Sequence, residues 1–373
     1  MQPECLIVTQ CFYPDAGGIE GLMTGLADHC ASGRLVTVLA ERIRHKPAET
    51  PPGKPYSVVR FSGPRPWRRW RKRACLQGIM KRRAAGIGGI FLDSWKSVEA
   101  LPPDLTRPVT VLAHRMEYPP DASAAKKARI GAALARCGAV IANSRYTARL
   151  VLPYIGGNAS KLQIINPPIE PMGEPEAAAI AGVQERIGGR RPLMATVARL
   201  EPRKGIDAVI RALPDVLRRH PQCIYAIAGG GEDRERLERL ASDLDVGHSV
   251  LFLGRISEGE KAALLALADV FAMPVRREGR SVEGFGLSYS EAGWFGVPSL
   301  AGREGGAGDA VLHGETGLLC DGASQSDVTA SLLALLDDEP LRKRLGAAAQ
   351  LRVKSELVWP VAIGRYLDSF AEK

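Results

Sequence analysis

Two glutamates eight positions apart, Glu283 and Glu291, bracket a glycine pair, Gly284 and Gly286, in the stretch "SVEGFGLSYSEAGWFGVP" at residues 281–298. From Leu287 the pattern predicts a helix that stops at Gly296 ahead of Pro298, so Glu283 precedes the helix and Glu291 lies about one turn inside it. The amides of a helix N-terminus attract an anion, here those around Gly286, Leu287 and Ser288. Two carboxylates on either side of such an anion suit hydroxyl groups, since charge repulsion keeps them off the anion itself. A nucleoside diphosphate sugar has that order of parts: a hydroxyl-rich sugar, a pyrophosphate and a ribose diol. The alternative is a helix start whose acidic residues simply meet the macrodipole.

A second constellation supplies cations. In "ARLEPRKGIDAVI" Arg199 ends an apolar run and Lys204 stands before Gly205 and a predicted helix, a spacing that can hold a diphosphate from two sides, with Arg203 read as the solvated member. In "YPDAGGIEGL" Gly17 and Gly18 permit close backbone approach at a helix start, or make a plain tight turn. His114 closes the run "VLAH", and Gly305 and Gly306 in "AGREGGAGDAVLHGETGLL" fall where the chain would pass close to the same ligand.

These residues need strands and helices to position them. Apolar runs such as "CLIVTQ", "LVTVLAE", "VTVLAH", "AVIAN" and "LQIINPP", then "LMATVARL", "CIYAIAGGG", "SVLFLGRI", "VFAMPV" and "VPSLAGREGG", alternate with helical patterns. That alternation predicts an α/β chain with parallel sheets, whose ligands collect beyond the carboxyl ends of the strands. The 373 residues suit two doubly wound domains, 1–172 and 173–356, divided at the proline-rich "PPIEPMGEPEAAA". Seven scattered cysteines without C-x-x-C spacing argue against a disulfide framework or a zinc site, and Asp243 and Asp245 spell a D-x-D only at a helix end. No metal or cofactor is expected. The N-terminus lacks the pattern of a secretory signal and no apolar run approaches bilayer length, which points to the cytoplasm.

The combination of "FYPDAGGIE", "VIANSRYTARLV", "ARLEPRKG", "AGGGEDRERL", "FLGRIS" and the segment from "PVRREGRSVEGFG" to "ETGLLC" resembles the retaining glycosyltransferases of family four, with the GT-B fold. The resemblance covers nearly the whole chain. It implies two Rossmann-like domains facing a cleft, an N-terminal one for acceptor and a C-terminal one for nucleotide sugar, with the last helix, 357–373, returning to the first domain. It assigns Arg199 and Lys204 to the diphosphate, Glu291 to the ribose, and Glu283 and His114 to the donor sugar, with His114, Glu283, Arg199 and Lys204 in catalysis. Gly17, Gly18, Gly230, Phe285, Gly286, Leu287 and Ser288 would line the donor. Arg255, Ile256 and Glu258 of "GRISEGEK" fall at the base pocket, where a Glu258 carboxylate could accept from guanine N1 and N2. GDP-mannose is therefore favoured over a UDP-hexose, and a polysaccharide-type or lipid-linked saccharide, including lipopolysaccharide, is the expected acceptor. Arg115, Met116 and Glu117 carry no assignment.

The net charge of +9 is concentrated in one place. Residues 50–92 hold eleven cations and no acid, which leaves 39 basic against 41 acidic residues elsewhere. Within "RPWRRWRKRACLQGIMKRR", Arg65, Trp67, Arg68, Arg69, Trp70, Arg71, Lys72 and Arg73 match an anionic membrane surface, with indoles at headgroup depth. RNA stacking and a solvated basic loop use the same composition. The expectation is peripheral attachment to the cytoplasmic membrane face through residues 65–83 and no nucleic-acid partner. The competing class is a non-catalytic protein that binds nucleotide sugar or nucleic acid.

Overall fold

The computed structural model describes residues 3–14, 17–42, 53–64, 67–83, 86–114 and 117–370. It divides into two compact units, Met1–Glu170 with Trp359–Lys373, and Pro171–Val358.

The first unit is built on a seven-stranded parallel sheet: β1 (Glu4–Thr9), β2 (Val36–Glu41), β3 (Ser57–Phe61), β4 (Ile87–Leu92), β5 (Val109–Ala113), β6 (Ala139–Ala142) and β7 (Leu162–Ile164), in the order β3-β2-β1-β4-β5-β6-β7. The central strands are buried on both faces, which is why they read as unbroken apolar runs rather than alternating ones. Leu6 and Val8 of β1 face one core with Leu76 and Ile79, whereas Cys5 and Ile7 face the other with Met23 and Leu26. The last helix, Trp359–Leu367, packs on the helix Gly18–Ala31. Trp359 stacks on His29 with ring centroids 5.5 Å apart, and a Cβ on Gly25 would meet the indole at 2.1 Å.

The second unit holds a six-stranded parallel sheet: β8 (Leu193–Val197), β9 (Ile224–Ala228), β10 (Val250–Gly254), β11 (Val270–Met273), β12 (Ser299–Gly302) and β13 (Gly317–Cys320), in the order β10-β9-β8-β11-β12-β13. Strand order reverses between β8 and β11 here and between β1 and β4 in the first unit. In such sheets the crevice for a ligand opens beyond the carboxyl ends of those strands. No helix among the described residues is long and apolar enough to cross a membrane.

Candidate active site

The reversal in the second sheet places two loops side by side: Ala198 to Gly205 after β8, and Pro274 to Gly286 after β11. Gly205 makes their approach possible. It adopts φ 72°, where a side chain is strained, and a Cβ there would sit 2.1 Å from the Pro274 carbonyl oxygen. A further link ties the loops, the Arg276 amide donating to the Arg203 carbonyl at 2.9 Å, and the Arg276 guanidinium donates to both oxygens of Asp207, in the first turn of the helix Ile206–Arg219, at 2.8 and 3.1 Å.

Across this junction Glu283 receives two cations. Its Oε2 accepts from Lys204 Nζ at 2.5 Å and from Arg203 Nη1 at 2.7 Å. Burial alone would raise the Glu283 pKa, but Lys204 and Arg203 outweigh it and hold the carboxyl at about 2. Burial also lowers the Lys204 pKa, and the Glu283 charge works against that shift. Lys204 and Glu283 thus meet directly, a contact that the sequence spacing did not suggest. Arg203 corrects the expectation of a solvated residue: its side chain is 16% exposed and bridges Glu283 to Glu201, whose Oε2 it meets at 2.8 Å. Arg199 instead extends outward, 69% exposed, with Glu201 Oε1 at 3.1 Å. The second unit's cations are therefore graded from a buried lysine to an outer arginine.

The helix Leu287–Trp294 begins as its pattern predicted, with Gly286 at its N-cap, Phe285 buried beneath it, and Leu287 and Ser288 in its first turn. Gly305 lies against the segment that enters this helix. At φ 77° it lets the chain pass so close that a Cβ would be 2.3 Å from the Glu283 carbonyl oxygen, and the Gly306 amide donates to that oxygen at 2.9 Å. Gly305 and Gly306 therefore seat the backbone of Glu283.

Glu291, one turn into the helix, is paired with a residue that sequence reasoning missed. Lys261 Nζ lies 2.7 Å from Glu291 Oε1 and 2.7 Å from Glu258 Oε2. Lys261 is set by a capping box, Ser257 with Glu260, that starts the helix Glu258–Leu267 directly after β10. The i,i+3 spacing of Glu258 and Lys261 was the available signal. Arg255, Ile256 and Glu258 follow β10, with Glu258 88% exposed, and Gly230 follows β9, where a Cβ would contact Arg255 at 3.6 Å. The lysine thus joins the residue expected at the base to the residue expected at the ribose.

His114, Gly17 and Gly18 belong to the first unit. The two glycines open the helix that follows β1, and both are exposed. His114 follows β5; its Nε2 is buried with no hydrogen-bond partner among the described residues, and burial, opposed by the Asp93 charge, lowers its pKa. Nearby groups form a polar cluster at the ends of β1 and β4. Asp93 Oδ2 accepts from Thr9 Oγ1 at 3.0 Å and from the Gln10 amide at 2.5 Å, while Oδ1 accepts from Ser97 Oγ at 2.8 Å. Glu117 accepts from Ser94 Oγ through Oε1, its Oε2 is buried without a partner among the described residues, and burial pushes its pKa to about 7. Arg115 and Met116 lie outside the described residues.

The basic segment forms the helix Arg68–Arg83, preceded by Trp67. Trp67 and Trp70 are 63% and 68% exposed, and Arg69 and Arg71 are exposed with them. Arg68 pairs with Glu41 at 2.8 Å, and Arg73 is half-buried. Lys72 corrects the expectation of a membrane-facing residue: it lies on the helix's inward stripe with Leu76, Ile79 and Met80 and is 5% exposed. Arg65 is outside the described residues.

Comparison with known proteins gives the following similarities. Residues 182–352 match the family model described as glycosyl transferases group 1. A GDP-mannose-dependent alpha-(1-6)-phosphatidylinositol monomannoside mannosyltransferase of Mycolicibacterium smegmatis is 42% identical over 211 residues, 56% of this chain and 55% of the relative. A monoacylated-substrate counterpart from Corynebacterium glutamicum is 41% identical over 172 residues, 46% of this chain and 44% of the relative. The matched stretch spans about half the length of these curated relatives. The Anabaena protein HepE, solved in complex with UDP, superposes with a TM-score of 0.78 at 18% identity over 99% of both chains. Residues 182–352, nearly all of the second unit, thus match the glycosyl transferases group 1 family, and the chain has the GT-B fold with two parallel-sheet Rossmann-like domains.

Proposed function

We propose that the protein is a retaining, metal-independent glycosyltransferase that moves mannose from GDP-mannose to a lipid-linked saccharide, a phosphatidylinositol-anchored mannoside in particular. The observation that carries this reading is the Glu283, Lys204 and Arg203 cluster at the strand reversal, with Glu291 one turn into the adjoining helix. The relatives with printed GDP-mannose and phosphatidylinositol mannoside specificities support the donor and the acceptor class.

The chemistry follows from charge. Arg199, Arg203 and Lys204 oppose Glu201 and Glu283, so the five side chains leave one net positive charge beside the amides of the helix Leu287–Trp294. Departure of GDP builds negative charge on its β-phosphate, and preorganised cations and amides stabilise that charge where it develops. Lys204 and Arg199 are assigned to the phosphates, with the exposed Arg199 side chain as the outer member. Glu283, kept ionised by its two cations, accepts from hydroxyls of the mannose, and His114 is assigned to the sugar beside the reacting carbon. Glu291 accepts from the ribose diol. Glu258 accepts from guanine N1 and N2, a pair of donors that uracil does not offer.

The first unit is assigned to the acceptor, with 1–172 and the returning segment 357–373 as the acceptor-binding domain and 173–356 as the donor-binding domain. The exposed Trp67, Arg69, Trp70 and Arg71 are assigned to an anionic membrane surface, where indoles settle at headgroup depth and each cation contributes about 1 kcal/mol. The enzyme would then work on the cytoplasmic face. Incubation with GDP-[¹⁴C]mannose and phosphatidylinositol monomannoside in vesicles tests the whole reading. Label in the lipid fraction is expected, and label remaining wholly in water-soluble species would overturn it.

A further inference from the structure

The helix with the Arg/Trp surface is connected through its buried side to the carboxyl ends of the first sheet. Lys72 points inward from that helix, its ammonium 5.5 Å from the centre of the Phe61 ring, and Nζ donates to Ser97 Oγ at 2.5 Å. Ser97 Oγ donates in turn to Asp93 Oδ1 at 2.8 Å. The other Asp93 oxygen takes the Gln10 amide at 2.5 Å and lies 3.0 Å from the Thr9 hydroxyl, whose single proton is shared between that oxygen and the Cys11 carbonyl and whose oxygen accepts from the Cys11 amide at 2.9 Å. One chain of hydrogen bonds thus runs from the surface helix, across the start of the helix Trp95–Val98, to the loop that leaves β1 toward Gly17 and Gly18. The three linked residues Lys72, Ser97 and Asp93 are each less than 6% exposed. Truncating one partner in such a buried network leaves a charge or hydroxyl unpaired, so the network favours motion of its elements as a body.

We propose that Lys72 is a positioning residue that transmits contact of the surface helix with an anionic lipid surface to the loop after β1 through Ser97 and Asp93. This rests on the membrane role assigned to Trp67, Trp70 and their neighbouring arginines. Lys72 touches neither lipid nor donor in this account. Its role is to make the position of the loop after β1 depend on the seating of the helix.

The test uses the full-length protein with vesicles of phosphatidylcholine alone or with phosphatidylglycerol, in wild-type, Lys72→Met and Lys72→Arg forms. Flotation measures binding, and hydrogen exchange measures residues 9–14 and 93–98 with and without the vesicles. Binding of all three proteins to the anionic vesicles is expected. Exchange in both segments should slow on binding in the wild type, not change in Lys72→Met, and slow again in Lys72→Arg. A wild-type protein that floats without any change in these segments overturns the inference and leaves the membrane role standing. A wild-type protein that does not float removes both. A Lys72→Met response equal to wild type also overturns it, because a buried anchor without a transmitting role would leave the response intact.

Discussion

Two carboxylates at the ends of the two sheets are buried to a similar degree and titrate in opposite directions. In the second unit Glu283 sits between Lys204 and Arg203 and is held at about 2 against the effect of burial. In the first unit Glu117 has a serine hydroxyl on one oxygen and no partner on the other among the described residues, and burial carries it to about 7. Burial is common to both, so the sign is decided by direct ion pairing: Glu283 is bonded to two cations, whereas around Glu117 burial and the Asp93 charge prevail over the Ser94 bond and the charges of Lys96 and Lys72. In the second unit the Glu283 charge is compensated before any ligand arrives. The first presents a carboxyl that changes charge near neutrality, which suits contact with uncharged hydroxyls better than contact with phosphate.

The largest expected effect breaks the compensated end. Lys204→Ala should lower kcat for mannose transfer by about 10²–10³, the scale of losing one preorganised donor at a developing oxyanion. A loss below tenfold in steady-state assays would detach Lys204 from the reaction. Next in size is Glu291→Ala, which removes charge-assisted hydrogen bonds of about 1.5–3 kcal/mol and should weaken GDP binding about 10- to 100-fold by calorimetry. The 2′-deoxy form of GDP should lose less affinity in the variant than GDP does.

The opposite pKa directions give a third prediction with a definite sign. A carboxyl with a depressed folded pKa contributes stability above its unfolded value that disappears as pH falls through the folded one. Glu283 should therefore stabilise above about 4.5 and lose that contribution toward 2. A carboxyl with a raised pKa does the reverse, so Glu117 should cost stability progressively as pH rises from about 4.5 through 7. Urea midpoints followed with pH should show Glu117→Gln gaining on the wild type across that window, and Glu283→Gln falling behind the wild type as pH rises from 2 to 4.5. Parallel curves for the wild type and Glu117→Gln would remove the distinction between the two ends.

The smallest effect lies on the surface. Changing Arg69 and Arg71 to Gln should reduce recovery with anionic vesicles by about 1 kcal/mol per charge and leave GDP affinity unchanged. Equal recovery with and without these cations would return the segment to a solvated basic helix.

Much of this arrangement could be read before the fold was seen, and the failures have physical causes. Ten strands announced themselves as apolar runs, eight of them buried on both faces and the edge strands β7 and β10 only in part. β3 did not, because it is an edge strand with alternate residues exposed; β4 carries Gly88 and Gly89; and β13 is a short edge strand of four residues. Glu283, Glu291 and Lys204 were readable because their spacing around helix starts is local. The partners of those residues were not. Arg203 meets a glutamate 80 positions away and Lys261 one 30 positions away, and neither distance leaves a periodic trace. Lys72 was misread for the same reason: in a run of five cations among the six residues 68–73, composition does not say which one faces inward, whereas the stripe Lys72, Leu76, Ile79 and Met80 does.

The most direct test of the central claim is thermal stabilisation of the purified protein by GDP, GDP-mannose, UDP and UDP-hexoses, beside Glu291→Ala and Lys204→Ala. Ligand at 100 times its dissociation constant stabilises by about 2.7 kcal/mol, a readily visible shift in Tm. A shift with GDP and GDP-mannose, absent with the uridine nucleotides and reduced in both variants, is the predicted result. No shift with any nucleotide would contradict the assignment of the Glu283, Lys204 and Glu291 site to a nucleotide sugar.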